Sequence, residues 1–253
     1  MPEKPSDKSP VTAALVIIGN EVLSGRTQDA NLRFLAEGLN GVGIRLAEVR
    51  VIPDDEGRIV AAVNELRAAY DYVFTTGGIG PTHDDITSAA IAKAFGRAHG
   101  RNAEAETVLR EHYRPEDVTE ARLTMADMPE GVTLIDNPVS RAPGFRIENV
   151  FVLPGVPRIM QAIFDGFKHD LVGGDPVISR TITVFIPEGV MAGPLGRLQD
   201  GHPDAEIGSY PFVRHGKIGT SLVIRSTDAA VVDRVAEELR RIILDKGGEP
   251  MED

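Results

Sequence analysis

Apolar residues recur along this chain in two alternating rhythms. Thr12–Ile18 is a continuous apolar run, the pattern of a strand buried on both faces. Leu32, Leu35 and Leu39 then return at helical spacing, with Asp29 ahead of them as a cap and Gly41 and Gly43 behind as a stop. Ile44–Ile52 reads as a second strand, Ile59, Val60, Val63 and Leu66 as one face of a helix, and Asp71–Thr75 as a third strand. Ile86, Ala90, Ala94 and Phe95 continue at helical spacing. Strand, helix, strand, helix, strand in this order predict an α/β fold, a parallel sheet with helices on both sides. Such sheets bind ligands beyond the carboxyl ends of their strands, so Gly19–Gly25, Pro53–Glu56 and Thr76–Asp85 are expected to converge on one edge.

Further along, Asn102–Ala126 is expected to be helical, in two pieces separated by Pro115, and Val132–Ile135 and Ile147–Leu153 are strand-like. Leu153-Pro154-Gly155-Val156-Pro157 turns into a helix bearing Ile159, Ile163 and Phe167, with Pro157 suited to its first position. Gly173-Gly174-Asp175-Pro176 is the best linker. Beyond it, Val177–Phe185, a short helical stretch near Gly189–Leu198, Glu206–Val213, Lys217–Ser226 and a helix over Asp228–Leu244 predict a β-α-β-β-α unit. That makes a small α+β domain with antiparallel pairing. The expected division is a disordered tail over 1–10, a large domain over 11–173 and a small one over 177–246.

Composition narrows the function. The 253 residues are 42% hydrophobic, enough for a sizeable core, and no apolar stretch is long enough to span a membrane. The start lacks a hydrophobic region of the secretory kind, so a cytoplasmic location is the expectation. Against 27 basic residues stand 38 acidic ones, a formal charge of −11. Such a surface repels nucleic acid and anionic lipid, so neither is an expected partner. The absence of cysteine excludes disulfides, thiolate metal sites and a cysteine nucleophile. The six His show no His-x-x-x-His or His-x-His spacing, so any metal should be hard and oxygen-bound.

One segment stands apart: Thr75-Thr-Gly-Gly-Ile-Gly-Pro-Thr-His-Asp-Asp-Ile-Thr87, directly after Tyr72-Val73-Phe74. Gly77, Gly78 and Gly80 let a chain leaving a strand turn sharply and bring N–H groups against an anion. Asp84 and Asp85 would repel a phosphate unless a divalent cation bridged them to it. The plainer reading is a strand–turn–helix connection in which Thr82 or Asp84 caps the helix and Asp85 complements its dipole.

Taken with Gly19-Asn20-Glu21-Val22-Leu23-Ser24-Gly25, Asp54 after a strand and Leu153–Pro157, this segment resembles the molybdopterin-binding MoaB/Mog-like family. The likeness is closest to the amino-terminal part of CinA-type competence/damage-inducible proteins and runs from about Ala13 to Val172. It implies a three-layer α/β/α domain holding a ligand with phosphate or pyrophosphate. Relatives divide into molybdopterin adenylyltransferases or binders, and CinA-like proteins with metal-dependent pyrophosphatase activity on ADP-ribose. By position, Thr76, Gly77, Gly78, Gly80 and Thr82 match the phosphate loop. Asp85 matches an acid linked to catalysis, Asp84 the extra acid of CinA-type versions, and Asp54 a second functional carboxylate. Gly19, Glu21 and Ser24 match the first-strand loop, and Gly155 and Pro157 the pocket-lining turn.

The resemblance therefore implies Asp54 and Asp85 as catalytic, Asp84 and Asp85 as ligands of Mg²⁺, Mn²⁺ or Co²⁺, and a nucleotide or pterin as partner, with molybdopterin a candidate ligand. Water would attack a phosphoanhydride, with Asp54 orienting or deprotonating it or anchoring the metal through water; in an adenylyl transfer a pterin phosphate would replace the water. A homo-oligomer is expected by the same likeness. Two departures pull toward a carrier without turnover, Asn20 in place of a common Asp and Arg122 and Met125 in place of Asn and Gln; a third, Ser140-Arg141 in place of Gly-Thr, adds a cation and bulk. No counterpart of the CinA deamidase domain is present, so deamidation of a pyridine nucleotide is not expected. Plainer roles also exist. Asp54 and Asp55 suit a helix cap, Glu21 and His83 solvated positions, and Arg141 either a surface cation or a phosphate clamp.

Overall fold

Odd and even residues of the first strand face two different cores, and this fixes the architecture. The structure is a computed structural model describing residues 10–252, so all of the tail expected over 1–10 except Pro10 lies outside the described residues. Contacts divide the chain into two compact units, between Gly174 and Asp175.

In the first unit, β1 (Val11–Ile18) is followed by a short turn of helix, α1 (Asn20–Leu23), then α2 (Asn31–Gly41), β2 (Ile44–Ile52), α3 (Glu56–Ala69), β3 (Tyr72–Thr76) and α4 (Thr87–Ala94). A two-stranded excursion, β4 (His99–Arg101) with β5 (Asp127–Pro129), encloses α5 (Ala103–His112) and α6 (Glu120–Leu123). Then come β6 (Thr133–Ile135), β7 (Gly144–Ile147), β8 (Val150–Leu153) and α7 (Pro157–Phe167). The main sheet runs β2-β1-β3-β8-β7-β6, parallel through its first four strands and antiparallel beyond. Ala14, Val16 and Ile18 pack with α3 and α4 residues such as Ile59, Val63 and Ile91. Ala13, Leu15 and Ile17 pack on the other side with Leu35 and Leu39 of α2 and Met160, Ile163 and Phe164 of α7. The result is the three-layer α/β/α sandwich, as a period-two strand between two helical layers requires.

Two stretches differ from the pattern reading. Ile147–Leu153 is not one strand, because Glu148 takes a left-handed conformation (φ 50°) and folds β7 back on β8. The second half of Asn102–Ala126 holds only the four residues of α6 between 3-10 turns, since Pro115 and Thr119 each restart the chain.

The second unit is β9 (Ile178–Val184), α8 (Glu188–Gly201), β10 (Glu206–Arg214), β11 (Lys217–Ser226), α9 (Ala229–Asp245) and β12 (Met251–Glu252), with sheet order β10-β11-β9-β12, all antiparallel. Ile182, Val184, Leu222 and Ile224 meet Val235, Leu239 and Ile243 of α9 in its own core. The terminal strand β12 adds a sixth element beyond the β-α-β-β-α read from the sequence. Among the described residues, no helix is long and apolar enough to cross a membrane.

Candidate functional site

Strands β1, β3 and β8 are neighbours in the parallel sheet, and their carboxyl ends stand level: Ile17 pairs with Thr76, and Thr76 with Leu153. The chain leaving β3 is wedged between the other two. Gly77 donates its N–H to Leu153 O (3.1 Å) and lies so close to β1 that a Cβ would sit 2.1 Å from Ile18 O. Its φ of +104° and that of Gly78, +69°, are open to glycine and strained for other residues. Gly78 O accepts from Thr87 N (2.9 Å), anchoring the loop to the start of α4. Turned this way, the N–H groups of Gly78, Ile79 and Gly80 find no hydrogen-bond partner among the described residues. All three residues line a pocket of about 660 Å³. Successive free amides on a glycine turn make a cradle for an anion.

The acids are placed unequally. Asp85 lines this pocket. Its Oδ2 accepts from Thr82 N (2.8 Å) and from the Thr82 hydroxyl, while its own N–H returns to Thr82 O (3.1 Å), closing a tight turn. Gly80 makes room for that carboxylate, since a Cβ there would fall 2.7 Å from Asp85 Oδ2. Oδ1 is left without a partner. Asp84 is exposed and lines no part of the pocket; the nearby Thr82 hydroxyl, then its own N–H, holds its carboxyl below the usual range. Neither Thr82 nor Asp84 caps α4, which begins at Thr87 behind Ile86 and has no side-chain cap. The N–H and hydroxyl of Thr82 are spent on Asp85, closing the turn.

Asp55, not Asp54, caps α3, accepting from Arg58 N at 2.8 Å. Asp54 Oδ2 accepts from Asn20 N (2.9 Å), and Gly19 N donates to Ile52 O (3.1 Å). The Pro53–Glu56 segment thus holds the first loop in place and does not line the pocket. Glu21 does line it, with its carboxylate lying over Gly19, where a Cβ would come within 2.6 Å of Oε1. Ser24 Oγ donates to Glu21 O (3.2 Å) and steadies that turn. Gly155 and Pro157 line it too, Gly155 lying against Gly77, where a Cβ would come 3.2 Å from Gly77 Cα, and Gly155 O accepts from Asn31 Nδ2 (2.8 Å). Thr76 sits in a side recess of about 50 Å³ shared with Glu21, Asn31, Gly155 and Pro157. Its hydroxyl and Asn31 Oδ1 are buried there without partners.

Of the residues singled out in the sequence, Glu21, Gly77, Gly78, Gly80, Asp85, Gly155 and Pro157 therefore surround one pocket. Gly19, Ser24 and Thr82 shape it from behind. Asp54 and Asp84 stand outside its lining. The pocket also has walls beyond the motif segments, two of them, Arg122 and Met125, at positions already singled out in the sequence as departures. Tyr113, Arg122 and Met125 come from the α5–α6 region. Asn137 is fully buried and ties its turn together, with Nδ2 donating to Ala142 O and Ser140 Oγ (both 2.7 Å) and Oδ1 accepting from Val139 and Ser140 N–H. The Asn137-Pro138 pair was a turn signal in the sequence. Arg141 turns away from the pocket into an ion pair with Asp136 (2.7 Å). A second hollow of about 430 Å³ shares Gly80, Pro81, Asp85 and Met125 with the first and contains His83 and His99. There His99 Nε2 lies 3.1 Å from Ser88 Oγ, whose proton goes to Asp127 O.

As a metal site the arrangement is sparse. No group of three or more His, Asp or Glu disposed to hold a cation occurs among the described residues. What faces the pocket is the free oxygen of Asp85 and the carboxylate of Glu21. A hard cation such as Mg²⁺ is commonly held by one or two carboxylates plus phosphate oxygens, so this donor set fits one only together with a phosphorylated ligand.

Comparison with known proteins agrees with this layout. The profile of a family described as probable molybdopterin binding domain matches residues 14–173, and that of a family described as FAD synthase, middle domain, matches residues 176–247. A protein of Pyrobaculum calidifontis is 40% identical over 211 residues, 79% of this chain and 80% of its own length. A probable FAD synthase of Caenorhabditis elegans is 31% identical over 267 residues, covering 92% of this chain, which spans 50% of that relative. A crystal structure of the protein CinA from Thermoplasma acidophilum superposes with a TM-score of 0.60 at 33% identity, over 64% of this chain and 98% of that one.

Proposed function

The chain belongs to the family of molybdopterin-binding domains of the MoaB/Mog type, and from that premise we propose that its pocket binds the pyrophosphate of a nucleotide or pterin conjugate and hydrolyses the anhydride with a divalent cation. The observation that carries this reading is the run of partnerless N–H groups at Gly78, Ile79 and Gly80 beside the free oxygen of Asp85. Amides held in place by Gly77 and Gly78 can stabilise charge developing on phosphate oxygens without reorganising. Bare carboxylates beside such amides would repel the ligand, so a cation between them resolves the conflict. Its protein donors would be Asp85 and Glu21, a change from the Asp84/Asp85 pair, because Asp84 does not reach the pocket lining. Mg²⁺, Mn²⁺ or Co²⁺ bound there would supply charge neutralisation at the phosphate.

In the reaction, the oxygen of water bonds to one phosphorus and the bridging P–O bond breaks. Two phosphate monoesters result: AMP and ribose 5-phosphate from ADP-ribose, AMP and FMN from FAD. FAD joins ADP-ribose as a test substrate because a relative is named a probable FAD synthase. Asp54, bound to Asn20 N–H, contributes by fixing the Glu21 loop. Incubation of the protein with ADP-ribose or FAD should release AMP only when one of the three metals is present. Asp85→Asn should lower that rate by roughly a hundredfold or more.

A second reading, a molybdopterin binder or an adenylyltransferase-like protein of cofactor biosynthesis, draws on the hydrogen bonds that already engage Asp54 and one oxygen of Asp85. Tight binding of the nucleotides or of a pterin phosphate, with no AMP formed under any metal, would decide for the binder. Self-association of the chain is part of the same family-based proposal and is read directly by light scattering.

A further inference from the structure

Glu21 and Asp85 give the 660 Å³ pocket two acids, and among the described residues Arg122 is the one cationic residue in its lining. Arg122 is held by its neighbours. Its N–H donates to Thr119 Oγ1 (3.2 Å), the cap of α6. Its Nη1 donates to Asp117 O and lies 3.4 Å from the Asp117 carboxylate. Its Cζ lies 4.6 Å from the centroid of the Tyr113 ring, and Tyr113 lines the same pocket. One edge of the guanidinium is thus fixed, one face is covered, and Nε and Nη2 have no partner. A fork immobilised in this way loses little rotamer freedom on binding and favours a planar, two-point contact with an oxyanion. Arg122 belongs to the α5–α6 region, a different part of the chain from the glycine turn.

We propose that Arg122 is a second anion-recognition point in this pocket, selecting ligands that carry a phosphate monoester in addition to the pyrophosphate at the glycine turn. The inference rests on the pyrophosphate-binding reading above and names the substrate class that reading leaves open. The Asn that the resemblance gives for this position in CinA-type proteins would offer a neutral amide, so the preference should distinguish this chain from them.

The test is calorimetric titration, in Mg²⁺, with non-hydrolysable methylene-bridged analogues of ADP-ribose and of ADP-ribose 2′-phosphate. The wild type should bind the 2′-phosphorylated analogue roughly ten- to a hundredfold more tightly, with the preference shrinking at high salt. Arg122→Gln should erase the preference and leave the affinity for the plain analogue within about twofold, while Arg122→Lys keeps part of it. Equal affinities in the wild type, or a preference that survives Arg122→Gln, would overturn the role of Arg122 alone. If Arg122→Gln does not fold, the wild-type preference and its response to Arg122→Lys decide the matter. Failure of both analogues to bind the wild type would overturn the glycine-turn reading, and this inference with it.

Discussion

Glycines in this chain do not all matter for the same reason, and the difference can be measured. Gly25 and Gly77 both have positive φ, +73° and +104°. A Cβ on Gly25 meets nothing within 4 Å, whereas one on Gly77 would sit 2.1 Å from the backbone oxygen of Ile18. Gly25→Ala should therefore cost only the left-handed strain, about 1 kcal/mol. Gly77→Ala must also push β3 off β1, and should cost at least about 3 kcal/mol and abolish ligand binding. Urea denaturation of the two variants checks this; equal losses would refute the wedge geometry. The glycine turn was legible in the sequence because Gly77, Gly78 and Gly80 share thirteen residues with Pro81, four threonines and two acids, directly after an apolar run. The orientation of the acids was not legible. Whether Asp54, Asp84 or Asp85 faces a ligand depends on which N–H or hydroxyl each side chain meets, namely Asn20 N for Asp54 and Thr82 for Asp85. Those partners are set by loop geometry that no spacing rule encodes.

Among the elements, β2 and α3 are joined by a polar cluster whose titration can be followed. Arg50 of β2 donates to Glu48 (Nε, 2.6 Å) and to Glu65 of α3 (Nη1, 2.7 Å), and Tyr70 OH donates to Glu48 Oε2 (2.8 Å). The Arg50 guanidinium, then the Tyr70 hydroxyl, holds the Glu48 carboxyl below its ordinary 4.5, and Arg50 does the same for Glu65. Carboxylates depressed in the folded state add stability that is fully present above the unfolded value, near 4.5, and is lost as pH falls through the lower folded values. Unfolding midpoints followed from pH 6 down should hold until about 4.5 and then drop. Glu48→Gln should start lower and drop less steeply; an unchanged slope would show that the cluster is not coupled to folding. At this scale the α/β alternation was readable, because buried parallel strands are continuous apolar runs and their helices have a clean period. The reading failed at Glu148, where a left-handed residue, followed by Asn149, makes a hairpin turn inside the stretch read as one strand. It failed again beyond Pro115, where capping and 3-10 turns outweigh helical spacing.

For the molecule as a whole, the formal charge of −11 sets the problem that the pocket has to solve. On the proposed function, an anionic ligand would approach against the net field, so its capture would depend on local groups: the free amides of the glycine turn and the cation proposed at Asp85 and Glu21, with Arg122 adding a point only for a further phosphate. Every one of these groups precedes Gly174, as does every residue lining the pocket. The first unit also has its own two cores, one on each face of the six-stranded sheet, and the second unit has a separate one. A unit with a complete core and a complete site has the physical means to fold and bind alone. The fragment 10–174 should therefore unfold cooperatively and bind the ADP-ribose analogue within about threefold of the intact chain, a difference below about 1 kcal/mol. If the fragment folds but its affinity falls by a hundredfold, the site must draw on residues after Asp175, and the pocket described here is incomplete.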